Sequence, residues 1–461
     1  MKKSAEHSNI PFGWVPAAIG RQWRRAAVVV LALGLAFMVA RAAANVWIGY
    51  QLRAEVARLE RIYGSLDPAS SSPRWQASPG SPGRKVDTAS RDNRAVAVRA
   101  AASLTVVDTK DWTTVTRYQR PGSQPAASMP DVRRILDENR LAVQVAEQSR
   151  FRPAVDWEID YAHDTNLPRL LDIRKLGAIL SLECRVALDA GDGEERAVVA
   201  ALTGLGVAES LHDEPVTILQ LIRIGVAIDQ FACVRDLLAR GQPSGEALSL
   251  LARALAENRA PDAIRTSAIA EMKQMHRTLS EAAETNGPSP LDGTSWSWPV
   301  RWLGRPVIQY AHLRYLRGVT ATIASASLPA TGGPSPDAAA APRAALRWWD
   351  VGRRIDAVVN RGSDSDARGA WRRVVDVGRE YAAVLAAAEL SVALRRARLA
   401  SGSYPASLAE LVPRFLNEVP ADPFTGEPPR YSRQGAGVTV RVRGGPVTTA
   451  ATPLLVWTSP R

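Results

Sequence analysis

The sequence predicts a mainly α-helical protein with an N-terminal transmembrane helix, an extracytoplasmic α-hairpin bundle or short solenoid, and a small α+β tail at the C-terminus. Three observations predict this class. Residues 26–50 form an apolar run, and apolar residues recur at helical spacing from residue 130 onwards. Near the C-terminus, residues 438–442 alternate as a β-strand does. The 461 residues are enough for about two or three domains of ordinary size.

The apolar run is either a membrane anchor or a signal peptide, and its length separates the two. Residues 26–40 span only about 22 Å, which is short of the roughly 30 Å hydrocarbon core. That length is typical of a signal peptide, and the alanines at positions 40, 42 and 44 provide Ala-x-Ala cleavage sites. Continued to residue 50, the run spans roughly 37 Å and crosses the membrane. The long leader and the helical pattern beyond residue 50 favour the uncleaved anchor, and cleavage stays the alternative.

Charges around the apolar run predict its orientation. The leader, residues 1–25, is strongly basic and has Glu6 as its acidic residue. Positive charge marks the cytoplasmic side of a membrane segment. We therefore expect a single-pass protein of the cytoplasmic (inner) membrane, with residues 26–50 in contact with lipid and the N-terminus inside. About 410 residues then lie in the periplasm or another extracytoplasmic space. The basic residues of the leader are Lys2, Lys3, Arg21, Arg24 and Arg25.

The net charge of +12 comes mainly from arginine. The basic residues are scattered among Asp and Glu, so no stripe of positive charge of the kind that binds nucleic acid is present. We expect a solvated basic surface and no nucleic-acid partner. Attraction to anionic lipid is the alternative.

The two cysteines, Cys184 and Cys233, both lie inside apolar helical patterns. The absence of a C-x-x-C pair excludes zinc ribbons and thioredoxin-type redox sites. Two unlinked, buried thiols are expected. Outside the cytoplasm a disulfide is also permitted, and this alternative stays open.

The chain divides by composition into segments. The apolar spacing after the anchor predicts a juxtamembrane helix, and two stretches rich in Pro, Ser, Gly or Ala are typical of linkers. Within the first of these stretches, residues 91–102 are predicted as a helix and residues 104–116 as a strand or an ordered loop. The segments are the leader 1–25, the anchor 26–50, the juxtamembrane helix 51–64, a linker and partly ordered segment 65–129, a helical bundle 130–327, a linker 328–343, long helices 344–402 and the tail 403–461.

Helical spacing with proline and glycine at the ends predicts the helices of the bundle and of the following segment. Because tight turns join them, we expect antiparallel hairpins stacked into a bundle or a short solenoid. The predicted helices are 132–148, 167–188, 194–211, 215–238, 245–258, 262–279, 300–327, 344–359 and 367–399.

The tail contains the most distinctive motifs, YPASLAELVP at 404–413 and VPADPFTG at 419–426, followed by a tyrosine-bearing strand. After a long helix, this arrangement resembles the soluble domain of type II secretion major pseudopilins. The chain also resembles an uncharacterised bacterial family of single-pass, mostly helical exported proteins, through YQLR at 50–53, ILDENR at 135–140 and EPVTILQLIRI at 214–224. The resemblance implies an architecture and no activity. Leu408 and Leu411 are expected to be buried against the preceding long helix.

Two departures from the pseudopilin pattern are important. No Gly-Phe-Thr-Leu-x-Glu processing site precedes residue 26, and the apolar run contains no glutamate. Arg441 and Arg443 stand where pseudopilins carry an acidic end that often binds calcium. Neither the filament role nor the calcium site is therefore expected here.

Candidate chemistry is sparse in this sequence. His163-Asp164 and His212-Asp213-Glu214 are the best acid–base or metal-ligand candidates, but neither has helical i, i+4 ligand spacing. G-x-S-x-G, P-loop, G-x-G-x-x-G and H-E-x-x-H motifs are all absent. We assign no catalytic, metal or cofactor-binding residue.

These observations favour a membrane-anchored extracytoplasmic scaffold or interaction protein, related to envelope or secretion assembly, with a protein partner in the envelope. Exposed aromatic residues are common interface anchors. The alternative is that the tail aromatics belong to the core, and packing against the bundle is the favoured interpretation of the tryptophan cluster. The alternatives are a helical hydrolase or lyase that uses His163, Asp164 and His212, and an envelope polysaccharide-binding protein. The candidate interface residues are Tyr404, Phe424, Tyr431, Trp296 and Trp298.

Overall fold

The computed structural model is mainly α-helical, with a small antiparallel sheet near the C-terminus, which confirms the predicted class. It describes residues 17–68, 92–119, 129–159, 168–191, 193–284, 298–326, 364–434, 437–442 and 455–458. The predicted linker 328–343 and the predicted helix 344–359 lie outside these residues.

The described residues form twelve α-helices and three β-strands. The helices are α1 (Ala17–Tyr63), α2 (Arg94–Ser103), α3 (Thr109–Tyr118), α4 (Met129–Glu138), α5 (Arg140–Ser149), α6 (Leu170–Ala190), α7 (Glu194–Glu209), α8 (Thr217–Arg240), α9 (Gly245–Glu257), α10 (Ala263–Glu284), α11 (Trp298–Ala326) and α12 (Asp364–Ser401). The strands are β1 (Arg430–Gln434), β2 (Gly437–Val442) and β3 (Leu455–Thr458).

The chain forms two compact units. The first contains α1 up to Ile62 together with the segment from Thr278 to Tyr315. The helix α1 is continuous over 47 residues, because alanine and other good helix formers fill it and no proline interrupts it. It ends at Gly64, whose φ of 74° is readily adopted only by glycine. The predicted continuation of the apolar helix beyond residue 50 is thus confirmed.

The second unit contains residues 63–277 and 316–461. At its centre α6, α7 and α8 pack against one another, and α12 returns to pack against α8 and α9. Two glycines permit close helix contacts here: a Cβ atom at Gly177 would lie 2.7 Å from Val226 Cγ2, and one at Gly204 would lie 2.3 Å from Gln230 Cδ. Because α6, α7, α8 and the distant α12 enclose a shared core, the helices form a bundle rather than a solenoid.

One helix predicted over residues 132–148 is in fact two, α4 and α5, which meet at Asn139. The Asn139 side chain is buried: its Oδ1 accepts from Val106 N at 2.8 Å, and its Nδ2 donates to the carbonyl oxygens of Val106 at 2.9 Å and Ile135 at 2.8 Å. A buried amide needs hydrogen-bond partners for its oxygen and nitrogen. Val106 and Ile135 provide these partners at the point where the helix breaks.

The prediction of a strand or an ordered loop at 104–116 is wrong for residues 109–116, which belong to α3. Asp108 is the N-cap residue, and its carboxylate accepts from the Asp111 N–H at 2.7 Å. In this helix, Thr113 and Thr114 donate their hydroxyl hydrogens to the carbonyls four residues earlier.

The tail folds back onto α12. A 3₁₀ turn, Leu408–Leu411, buries both of its leucines as the sequence predicts, and it contacts α12. The strands are antiparallel in the order β1-β2-β3, and the predicted strand at 438–442 is confirmed within β2. The buried face of β2 carries Val438, Val440 and Val442. The first two of these valines belong to the same hydrophobic core as the helical bundle.

Candidate functional site

The main concentration of buried polar side chains in the described residues lies where α8, α9 and α12 meet, and Arg223 on α8 is at its centre. Arg223 is 1 % exposed. Its Nη2 donates to the carbonyl of Asn258 at 2.5 Å and to the hydroxyl of Tyr381 at 2.9 Å, and its Nη1 donates to Gln220 Oε1 at 3.3 Å. The Tyr381 hydroxyl in turn donates to the Asn258 carbonyl at 2.6 Å.

These bonds converge on the C-terminal end of α9, since Asn258 is its C-cap residue. The last carbonyls of a helix lack intrahelical partners and carry partial negative charge. The guanidinium of Arg223 therefore stabilises the helix end. Burial lowers the pKa of Arg223, and burial raises the pKa of Tyr381 to about 12, so the phenol is neutral at physiological pH.

A second contact joins Arg259, the residue after Asn258, to α12. Arg259 binds Glu389 with two hydrogen bonds, Nε to Oε1 at 2.6 Å and Nη2 to Oε2 at 2.9 Å. Burial raises the pKa of Glu389, while the hydrogen bond from Arg259 opposes that rise. A bidentate pair of this kind is among the stronger side-chain contacts, and it joins segments 130 residues apart.

His212 and Asp213, candidates for acid–base chemistry, lie at the edge of this network. The Nδ1 of His212 is 2.7 Å from Asp213 Oδ1, and its Nε2 is 2.9 Å from the carbonyl oxygen of Arg259. Both partners only accept hydrogen bonds, so these contacts favour the imidazolium form of the ring, in which both nitrogens donate. The hydrogen bond to Asp213 accordingly raises the pKa of His212, and the same bond lowers the pKa of Asp213. A ring held in this way has no free lone pair for a general base.

This arrangement predicts a pH dependence of stability. The pKa of His212 is raised by folding, so its contribution is complete below about pH 6.5 and is lost as the pH rises through the folded value. The pKa of Asp213 is lowered, so its contribution is lost as the pH falls below about 4. Because Asp213 is 81 % exposed, we expect only about 0.2–1 kcal/mol.

The measurement is chemical unfolding of the wild type and of His212→Gln at about pH 6 and about pH 9, on either side of the ordinary histidine pKa. The wild type should lose more stability than the variant between the two values. Asp213→Asn serves as the matched control and should show the same reduced dependence. Equal losses in all three proteins would contradict the assigned contact.

The aromatic interface candidates in the tail are less exposed than an interface requires. Tyr404 is 4 % exposed and packs in the core, so the expectation of an exposed ring is wrong for this residue. Gly402, with a φ of 78°, turns the chain back onto α12. Tyr431 is half-buried and its hydroxyl donates to the Pro405 carbonyl at 2.7 Å. Phe424 is half-buried and packs beside a small buried cluster of Ala383, Ala387 and Val442.

Other candidates are only partly described. Trp298 is the first residue of α11, and its side chain, together with Trp296, His163 and Asp164, lies outside the described residues. Cys184 and Cys233 are buried and not joined by a disulfide. Across the described ranges, no three or more His, Cys, Asp or Glu side chains are grouped as a metal site requires.

The structure reveals one charged feature that sequence reasoning missed. In the register of β1 and β2, Arg430 lies directly opposite Arg441, and both are exposed. Neither side chain has an ion-pair partner among the residues that the structure describes. Like charges in this position destabilise a strand pair. The alternation around Arg441 was visible in the sequence, but the position of Arg430 depends on the register.

Two of the described helices, α1 and α8, are both long enough and apolar enough to cross a membrane. Most of the apolar part of α8 is buried in the bundle, so it is a core helix, whereas the apolar part of α1 is unburied. No protein-family model, curated protein or solved structure matches the chain. Function must therefore be inferred from the geometry.

Proposed function

We propose that this chain is a single-pass scaffold or interaction protein of the cytoplasmic membrane, with its bundle and tail on the extracytoplasmic side. The observation that carries this proposal is α1, whose apolar side chains from Val28 to Val39 are exposed. Exposure of so many large apolar groups is costly in water and favourable in lipid. Arg24 and Arg25, directly before the apolar part of α1, support an N-terminus inside the cell.

An interaction role accounts for the buried network better than catalysis does. Arg223, Tyr381 and the Arg259–Glu389 pair hold three helices together, and His212 is committed to two acceptors. The hydrolase or lyase alternative thus lacks a free base at His212.

We assign the partner's chemistry from the exposed pair Arg430 and Arg441. An acidic side chain placed between two guanidinium groups removes their repulsion and accepts hydrogen bonds from both. The partner is therefore an acidic protein segment in the envelope, which binds this arginine pair. The half-buried edges of Phe424 and Tyr431 add apolar area within the same tail.

The experiment is photo-cross-linking in living cells from a reactive residue placed at Ser432, two positions from Arg430 on the same strand face. A cross-linked protein should appear with the wild type, and Arg430→Glu with Arg441→Glu should reduce it at least about tenfold, which corresponds to about 1.4 kcal/mol. Arg253→Glu, at another exposed arginine, should leave it unchanged.

Circular dichroism must show all variants folded. An unchanged cross-link in the folded Arg430→Glu, Arg441→Glu protein would refute the acidic-partner proposal. The double variant His163→Ala, His212→Ala should retain both the cross-link and cellular function. Loss of cellular function in that variant, while it remains folded, would instead support the enzyme alternative.

A further inference from the structure

We propose that a cavity formed by α4, α5, α6 and α7 binds a small acidic α-amino acid. The cavity has a volume of about 270 Å³ and is lined by charged and apolar side chains from all four helices. This volume is close to the lower end for small-molecule sites, which fits a ligand of amino-acid size. The inference is independent of the membrane anchor and of the arginine pair in the tail.

Part of the charge at the cavity is already paired within the protein. Arg196 on α7 contacts two carboxylates, Glu183 Oε1 at 2.7 Å and Glu147 Oε1 at 2.7 Å. This triad joins α5, α6 and α7. Because its arginine is already shared between two acids, it offers a ligand little further attraction.

Three further lining residues carry charges that are exposed to solvent and are not used within the protein. Arg133, Asp137 and Arg140 line the cavity, and none of them has a hydrogen bond or ion pair to any part of the chain that the structure describes. Arg134, the neighbour of Arg133, does pair, with Asp111 at 2.5 Å and Glu138 at 2.8 Å. Arg134 thus forms ion pairs on this helix, whereas the three further charged side chains that line the cavity form none with the described residues.

Arg133, Asp137 and Arg140 stand at positions i, i+4 and i+7, which lie on one helix face, and the junction at Asn139 falls between the last two. Asn139 separates α4 from α5, and its bonds to Val106 and Ile135 fix the junction. Arg133 and Asp137 precede the junction and Arg140 follows it directly. Leu136 and the buried Val143 supply an apolar lining between them.

The free charges, two positive and one negative, are the complement of an acidic amino acid, which has two carboxylates and one ammonium group. The guanidinium groups of Arg133 and Arg140 match the carboxylates in shape and charge, and Asp137 matches the ammonium group. A simple dianion would meet repulsion from Asp137, and a simple cation would meet repulsion from the two arginines. The geometry thus favours a ligand that carries both signs.

The test is isothermal titration of the detergent-solubilised full chain with L-glutamate, L-glutamine and glutarate. L-Glutamate should bind with a dissociation constant below about 1 mM. Glutamine, which lacks one carboxylate, and glutarate, which lacks the ammonium group, should each bind at least about tenfold more weakly. Absence of saturable glutamate binding would refute the proposal.

Variants identify the contacts. Arg133→Gln with Arg140→Gln should weaken glutamate binding at least about tenfold, and Arg253→Gln, at an exposed arginine outside the cavity, should not change it. Asp137→Asn should weaken glutamate binding and strengthen glutarate binding. If glutarate binds the wild type as tightly as glutamate and Asp137→Asn changes neither, the site is a plain anion site and the amino-acid proposal is wrong.

Discussion

Replacing Leu411 by alanine is expected to lower the free energy of unfolding by about 2–5 kcal/mol. Leu411 is 0 % exposed and belongs to the hydrophobic core shared with the helical bundle. Removing its side chain loses the transfer free energy of the buried groups and leaves a cavity beneath the 3₁₀ turn. Its carbonyl also accepts from the N–H groups of Phe415 at 2.8 Å and Leu416 at 3.1 Å, so the surrounding backbone has little freedom to collapse.

The measurement is denaturant unfolding of the full chain followed by far-UV circular dichroism. Leu399→Ala, at an exposed leucine near the end of α12, is the matched control and should change stability by less than about 0.5 kcal/mol. Because the tail and the bundle share one core, we expect a single transition that shifts as a whole. A loss in Leu411→Ala no larger than in the control would contradict the observed packing.

Replacing Leu33 and Phe37 together by arginine is expected to abolish membrane retention. Both side chains are exposed in the apolar part of α1. Two arginines at the centre of a span raise the free energy of insertion by about 5–7 kcal/mol on insertion scales. Ile62→Arg, at an exposed position beyond the span on the same helix, should leave retention intact.

Alkaline extraction of membranes measures this retention, and intact-mass analysis of the extracted wild type should show Met1 or Lys2 at its start. Full retention of the Leu33→Arg, Phe37→Arg protein would contradict the anchor. A mature N-terminus near Ala43 would show that the segment is a cleaved signal peptide.

The sequence predicted the central helices well because local residues determine their ends. Gly191 adopts a φ of 83° after α6, and Ser244 caps α9 by accepting from Ala247 N at 3.1 Å. Signals of this kind lie within a few residues of the boundary that they set. The observed α9, Gly245–Glu257, accordingly differs from its prediction by one residue at its end.

The errors have long-range causes. The break at Asn139 depends on hydrogen bonds to Val106, 33 residues away, which no local pattern reveals. Tyr404 was read as a possible surface anchor, but it is buried once Gly402 turns the chain onto α12. The Arg223–Tyr381 contact spans 158 residues, so the sequence showed only an arginine within an apolar helix.

The candidate sites were harder to predict than the fold for the same reason. His212-Asp213 was identified from its composition, but only the position of the Arg259 carbonyl shows that both ring nitrogens donate. The cavity charges Arg133, Asp137 and Arg140 resemble an ordinary solvated helix face in the sequence. Their shared cavity is produced by the packing of four helices, which spacing along the chain does not specify.

The central claim is that the protein is anchored in the membrane with its bulk outside the cell. The most direct test is protease digestion of intact spheroplasts that carry the protein with an epitope tag at each end. We expect the C-terminal tag to be lost at once and a short membrane fragment with the N-terminal tag to be protected, because only the leader and the span are shielded. Disruption of the membrane should then expose the N-terminal tag as well. Protection of the C-terminal tag in intact spheroplasts, with its loss only after lysis, would contradict the account.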